Sequence, residues 1–84
     1  MDTGAGGLVQ FTQNSLVRFQ QDVISDIDFN GTAVQVTIAD GKNVGGTTGG
    51  NIDNKLGGGV NILNFVGNSM VIGNVGATNP VNIL

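Results

Sequence analysis

Five residue types are missing from the sequence: cysteine, histidine, tyrosine, tryptophan and glutamate. Histidine, glutamate and cysteine supply most general bases and nucleophiles in enzymes, and the serines stand in no recognisable relation to Lys42 or Lys55. A chain without cysteine also has no disulfide to staple a small fold. These absences predict a protein that is not an enzyme and that uses no cofactor and no metal.

Charge is scarce as well. The net charge is -3 with only three cations, too few to displace many counterions from nucleic acid. The stretch from 56 to 84 carries no charge and is long enough to cross a bilayer, but asparagines that are costly in hydrocarbon interrupt it. We expect no nucleic acid, no membrane and no small-molecule substrate as a partner.

An export signal is not apparent, because no basic segment followed by an apolar run precedes the first glycine cluster. Unless Met1 replaces a cleaved leader, the sequence predicts synthesis in the cytoplasm, followed by retention there or release by lysis.

Glycine, in contrast, is abundant: 15 of the 84 residues are glycine and one is proline. Glycine loses more conformational freedom on folding than any other residue, and a chain this short buries limited apolar surface. The sequence therefore predicts a single domain that is stabilised by contacts with copies of itself or with other structural proteins of a larger particle.

Composition divides the chain into four segments. Residues 1–7 are a flexible lead-in, 8–44 a hairpin region, 45–59 a glycine-rich linker and 60–84 an uncharged segment rich in asparagine and glycine. We expect an all-β fold: a small antiparallel hairpin or meander, a glycine-rich extended arm, and short C-terminal strands that are β-helical or paired between subunits.

The beginning of the hairpin region fits two structures. Val9 and Phe11 alternate with polar residues, which favours a strand. Leu16, Phe19 and Val23 follow at helical spacing, which favours a short helix.

Asn30-Gly31 is the strongest local signal, because Asn-Gly is the favoured centre of a type I′ turn. A two-residue loop there pairs Ile27 with Val34 and Ser25 with Val36 in an antiparallel hairpin. The expected buried face consists of Val23, Ile27, Phe29, Val34, Val36 and Ile38.

Two identical tetrads occur in the last segment. They are Val60-Asn61-Ile62-Leu63 and Val81-Asn82-Ile83-Leu84, with Gly-Asn dipeptides beginning at Gly67 and Gly73 between them. Short apolar runs separated by such corners are typical of stacked strands, although low complexity alone could also repeat a tetrad. The residues predicted to form an assembly interface are Val60, Ile62, Phe65, Val71, Ile72, Val81, Ile83 and Leu84.

Two acidic motifs offer candidate sites. Asp2-Thr3-Gly4-Ala5, with the fragments at 38–41 and 75–84, resembles retroviral-type aspartic proteases. The resemblance implies that Asp2 pairs with a second carboxylate. The apolar strand that the family places before its aspartate is missing from this sequence. Asp22, Asp26 and Asp28 offer oxygen ligands to a cation such as Ca²⁺, yet no compact binding loop surrounds them, and alternation on a solvent-facing strand explains them better.

Three functions fit these observations. The first is a structural subunit of a phage or virus particle (a minor capsid, decoration, tail or fibre protein), made in the host cytoplasm and located in the virion. The second is an extracellular fibril-forming protein of the biofilm or amyloid-like kind, since residues 60–79 suit cross-β stacking. The third is a truncated aspartic-protease-like chain.

Overall fold

The computed structural model describes residues 1–4, 6–57 and 61–83, and β-strands are the only regular structure in this part of the chain. The strands are short, as expected for apolar runs broken by glycine and asparagine. They are β1 (Leu8–Phe11), β2 (Ser15–Phe19), β3 (Asp26–Phe29), β4 (Val34–Ile38), β5 (Asn43–Val44), β6 (Ile52–Asn54), β7 (Ile62–Phe65), β8 (Met70–Val71) and β9 (Asn82–Ile83).

All strand pairs among the described residues are parallel, and they form three sheets that we call faces A, B and C. Face A has the order β1-β3-β6 and continues through a bridge from Ile52 to Val75. Face B has the order β2-β4-β7-β9. Face C pairs β5 with β8, and single bridges from Val23 to Val44 and from Asp2 to Ile24 extend it.

The chain visits the three faces in turn, so it winds as a coil. After each turn it lays a new strand beside the strand of the turn before. The turns differ in length: a short one leads from Leu8 to its partner Asp26, and a longer one leads from Gln35 to its partner Ile62. Turns of different length stack because the strands keep their register while the corners between faces absorb the extra residues.

Alternate side chains of every strand point into the coil and stack in columns along its axis. One column on face A runs Val9, Ile27, Ile52, Val75, as the pairing register requires. The fully buried core consists of Val23, Ile27, Phe29, Val34, Val36, Ile38, Val44, Ile52 and Leu63. Burying such side chains at about 1.5–3 kcal/mol each is the main term that stabilises the coil.

The predicted antiparallel hairpin is wrong. β3 pairs with β1 and β6, and β4 pairs with β2 and β7, so these two strands lie on different faces. Asn30-Gly31 forms the corner between the faces, and neither residue has positive φ. Instead the Asn30 amide donates to the Phe11 carbonyl one turn earlier, at 2.7 Å.

The predicted short helix is also wrong, since Leu16 and Phe19 belong to β2. Leu16 points outward and Phe19 inward, with the burial alternation of a strand. Asn14, just before this strand, accepts hydrogen bonds from the Thr32 hydroxyl and the Ala33 amide. Pairing with β4 along the whole strand outweighs the local helical spacing.

The expected glycine-rich arm contains a strand, β6, at its centre. The corner before it is compact: Gly50 has φ of 107°, and a Cβ there would overlap the Ile72 carbonyl oxygen. Only glycine tolerates that φ together with that approach. Residues 58 and 59 of the arm lie outside the described residues.

The described residues of the two tetrads that pair with each other lie on neighbouring turns of face B, but their register is not the one the repeat suggests. Ile62 pairs with Asn82 and Leu63 with Ile83, one position short of the alignment in which Ile62 would match Ile83. The inward position of Leu63 therefore stacks under Ile83 rather than under its sequence equivalent. Val60 and Leu84, the outermost residues of the two tetrads, lie outside the described residues.

Candidate functional site

The two ends of the coil are the most distinctive surfaces of the described residues. We call β1, β2 and Asp2 the N-terminal end, and β8, Val75 and β9 the C-terminal end. Inward side chains at both ends are half-buried or exposed, whereas the apolar ones of the middle turns are fully buried except Phe65 at the end of β7. On face B, for example, the column below Ile83 passes through Leu63 and Val36, which are 0% exposed, while Ile83 itself is 55% exposed.

The C-terminal end brings together four of the eight residues predicted for assembly. Val71 and Val81 are half-buried against the core, and Ile83 and Ile72 are exposed. Two other predicted residues belong to β7, one turn lower, where Phe65 packs inward and Ile62 lies on the outer side of face B. The structure thus places four of the predicted residues at one end; their role in assembly stays a prediction.

The N-terminal end is the counterpart that sequence reasoning missed. Val9, Phe11 and Phe19 point inward there and are only partly buried, and the Phe11 ring leans on Phe29 with centroids 6.3 Å apart. Leu16 is 77% exposed on the outer side of face B. The signal that could have revealed this end is the apolar alternation from 8 to 19, once it is treated as edge strands and not as part of a hairpin.

Most of the side-chain hydrogen bonds that join one turn to the next have a common direction; the Val34 amide, which donates to Asn61 Oδ1 at 3.0 Å, is an exception. The side-chain Oδ1 of an asparagine or aspartate accepts from the backbone N–H one turn closer to the C terminus, at 2.9 to 3.0 Å. We call these the axial side-chain bonds. The accepting residues are Asn14, Asp22, Asp26, Asp40 and Asn51.

Asp53 holds the last corner of face A. Its Oδ1 accepts from the amides of Asn54, Thr78 and Asn79, and its Oδ2 lies 3.1 Å from the Lys55 ammonium. Burial alone would raise the pKa of Asp53, but the hydrogen bonds from Thr78, Lys55 and Asn79 outweigh it and hold that pKa well below its usual range. The carboxylate therefore ties the loop before β9 to the turn below.

Asp28 stacks directly beneath Asp53 on the outer side of face A. Burial raises the pKa of Asp28; the Lys55 ammonium opposes this in part, and the carboxylates of Asp53 and Asp26 raise the pKa further. The carboxylates of Asp28 and Asp53 therefore repel each other, and the Lys55 ammonium weakens the effect of that repulsion on Asp28.

Two of the three acidic residues that offered ligands to a cation join turns of the coil. Asp22 and Asp26 each use Oδ1 in an axial side-chain bond. No group of three or more histidine, cysteine, aspartate or glutamate side chains within the described residues gathers to hold a metal ion.

Asp2, the residue of the protease-like tetrad, is exposed at the N-terminal end. It pairs with Ile24 in a single parallel bridge, and its Oδ1 accepts from the Gly4 amide at 2.8 Å. The fragment at 38–41 to which the resemblance extends forms the end of β4 and a turn, closed by the Lys42 amide donating to the Ala39 carbonyl.

The chain matches no protein-family model, no curated protein and no solved structure. Within the described residues no pocket opens into the protein, and no helix is long and apolar enough to cross a membrane. The exposed ends of the coil are therefore the features from which a function is argued.

Proposed function

We propose that the protein is a short parallel β-helix that serves as a structural, non-enzymatic subunit of a phage or virus particle, as a minor capsid, decoration, tail or fibre protein. In this proposal it is made in the host cytoplasm and is located in the virion. Its partners are copies of itself or other structural proteins of the same particle.

The observation that carries the proposal is the contrast between the middle and the ends of the coil. Val36 and Leu63 are completely buried, whereas Ile83 at the C-terminal end of the same column is more than half exposed. Exposed edge strands with apolar inward side chains are surfaces on which further strands add. A protein that presents two such ends is suited to be built into something larger.

The sides of the coil support the same proposal. The axial side-chain bonds and the hydrogen bonds of Asp53 join each turn to the next, so the sides of the coil are stabilised without an external partner. A protein whose turns are hydrogen-bonded to one another along its sides, and whose ends expose apolar side chains, suits a spacer or connector. The lack of histidine, cysteine and glutamate agrees with a structural role.

An extracellular fibril-forming protein is the second candidate, and the uncharged C-terminal end favours it. Charged side chains on edge strands usually prevent those strands from pairing with other chains, and residues 56–84 carry no charge. Strands stacked at about 4.8 Å along one axis would then continue through a fibril.

Molar mass in solution tests the assembly role that both candidates share. We expect size exclusion with light scattering, over a hundredfold range of concentration, to give oligomers or polymers larger than the 8.5 kDa chain. A compact monomer at every concentration would contradict both candidates.

Fractionation of the source culture separates the two candidates. A virion subunit is expected to sediment with nuclease-resistant particles and to be released from them by detergent. A fibril protein is expected in a detergent-resistant pellet that diffracts at about 4.8 Å along the fibre. Recovery of the protein only in the soluble fraction would argue against either assignment.

A further inference from the structure

We infer that a second copy of the chain docks end to end, so that the N-terminal end of one copy covers the C-terminal end of another in the register that joins turns within one chain. The inference rests on the proposed structural role and names the partner for it. It follows from the columns, the axial side-chain bonds, the charge and the size of the ends.

The columns define where each residue of the second copy would lie. On the outer side of face A the column runs Leu8, Asp26, Asn51, Asn74, and on face B it runs Leu16, Gln35, Ile62, Asn82. Continuing both columns by one step places Leu8 of the second copy beside Asn74 and Leu16 beside Asn82. The inward positions then stack apolar on apolar, Val9 over Val75 and Val17 over Ile83.

Hydrogen bonds match across the same junction. Asp26 accepts from the Asn51 amide and Asn51 from the Asn74 amide, one turn at a time. Asn74 is the last residue of this series in the described chain. By the same rule its Oδ1 would accept from the Leu8 amide of the second copy, while the parallel backbone edges pair as they do inside the coil.

Charge permits this contact. The C-terminal end lies in the stretch from 56 to 84, which has no charged side chain, so it repels neither Asp2 nor Arg18 at the opposite end. Like charges facing one another are a common protection of sheet edges against such pairing, and that protection is missing here.

The size of the ends fits a concentration-dependent contact. Three strand steps on face B span about 14 Å, so the shortest dimension of the protein, 19 Å, corresponds to the coil axis. The end is then 29 by 27 Å, which covers roughly 600 Å² on each copy, at the lower limit of stable interfaces. Because the two ends differ and the junction continues the same coil axis, the contact does not close into a ring and gives an open filament.

Cysteine pairs test the register, because the chain has no cysteine of its own. In the variant Leu16→Cys with Asn82→Cys, the two cysteines of one chain are three strand-to-strand steps apart, about 14 Å. A disulfide needs about 4.4–6.8 Å between its Cα atoms, so it cannot form within the chain. Across the proposed junction they are one step apart. We expect mild oxidation to give a ladder of covalent dimers and longer species that thiol reductants dissolve.

The matched control is Leu16→Cys with Ile62→Cys. Both residues also point outward on face B, but they are two steps apart, about 10 Å, within the chain and across the junction alike. It is expected to stay uncross-linked. No ladder in the first pair, or equal ladders in both pairs, would overturn end-to-end docking.

A second pair of variants tests the surface without cysteine. Ile83→Asp places a charge at the C-terminal end, and Leu56→Asp places one on a similarly exposed side chain in the loop before β7. We expect only Ile83→Asp to shift the parent protein's oligomers to monomer. If oligomers survive Ile83→Asp and the cysteine pair gives no ladder, end-to-end docking is overturned but the proposed structural role is retained. If the parent protein is monomeric at every concentration, both the docking and the structural role are overturned.

Discussion

At the scale of single residues, aspartate and asparagine determine how turns are joined. Their short side chains reach one turn along the axis, so Oδ1 of one turn meets the N–H of the next, as at Asp26 and Asn51. Either residue type works at these positions because only the acceptor oxygen is used. Asp53 differs, because it is buried and needs its charge.

Asp53→Asn is expected to lower the free energy of unfolding at pH 7 by about 1–3 kcal/mol, since charge-assisted hydrogen bonds to a buried group are lost. The lowered pKa of Asp53 means that its stabilisation is present above the ordinary aspartate pKa and is lost as pH falls below about 4. Urea denaturation at pH 7 and pH 3 measures both effects. Asp26→Asn keeps its acceptor and serves as the control; an equal loss in both variants would contradict the role of the charge.

Asp28→Asn should act in the opposite direction. The raised pKa of Asp28 means that the folded state binds its proton more tightly than the unfolded state, so the ionised carboxylate destabilises the fold at neutral pH. We expect the variant to gain up to about 0.5 kcal/mol at pH 7 and nothing at pH 3. Thermal unfolding at the two pH values measures the difference, and a gain of equal size at both would rule out the electrostatic cause.

At the scale of strands, local pattern predicted which side chains are buried but not which strands pair. The six apolar residues expected on the hairpin face, from Val23 to Ile38, are all fully buried. Alternation along a strand is the same in parallel and antiparallel sheets, so that expectation survives the wrong pairing. The partners of β3 and β4 are strands a full turn of the coil away along the chain, which no turn motif at Asn30-Gly31 encodes.

Of the candidate site, the sequence pointed to the C-terminal end but not to the N-terminal end or to Asp53. Apolar residues near the C terminus, such as Val71 and Ile83, stand out because no charge surrounds them. The N-terminal end did not stand out, because Leu16 and Phe19 also fit a helix. Asp53 was missed for another reason: its partners, Thr78 and Asn79, are 25 and 26 residues away along the chain.

Leu16→Cys with Gln35→Cys tests the parallel register within one chain. The two residues are neighbours on the outer side of face B, so a disulfide should form in the monomer. In the antiparallel hairpin Gln35 would instead lie beside Asp26, and Asp26→Cys with Gln35→Cys is the contrasting pair. Mass spectrometry after oxidation at low protein concentration reads out both; closure of the second pair and not the first would contradict the coil.

At the scale of the whole molecule, stability is concentrated in the middle turns. Each turn contacts only the turns before and after it, so the terminal turns bury one side and the middle turns bury two. The gradient of exposure from Leu63 to Ile83 is a direct result.

Leu63→Ala is expected to cost about 2–5 kcal/mol, because it opens a cavity in the core. Ile83→Ala should cost less than about 1 kcal/mol in dilute protein, since more than half of that side chain already faces solvent. Denaturant unfolding at two protein concentrations measures both. Under end-to-end docking the cost of Ile83→Ala rises with concentration while that of Leu63→Ala stays constant.

The parallel winding also determines how the protein responds to mechanical force. Hydrogen bonds between strands lie along the coil axis, so tension along that axis loads one turn at a time and peels the turns off in series. Each turn that opens releases roughly 20 residues, which at about 3.4 Å per residue is about 70 Å of extra length. In the proposed structural role, such a protein would lengthen stepwise under load and keep its neighbours tethered, as an extensible link between stiffer parts.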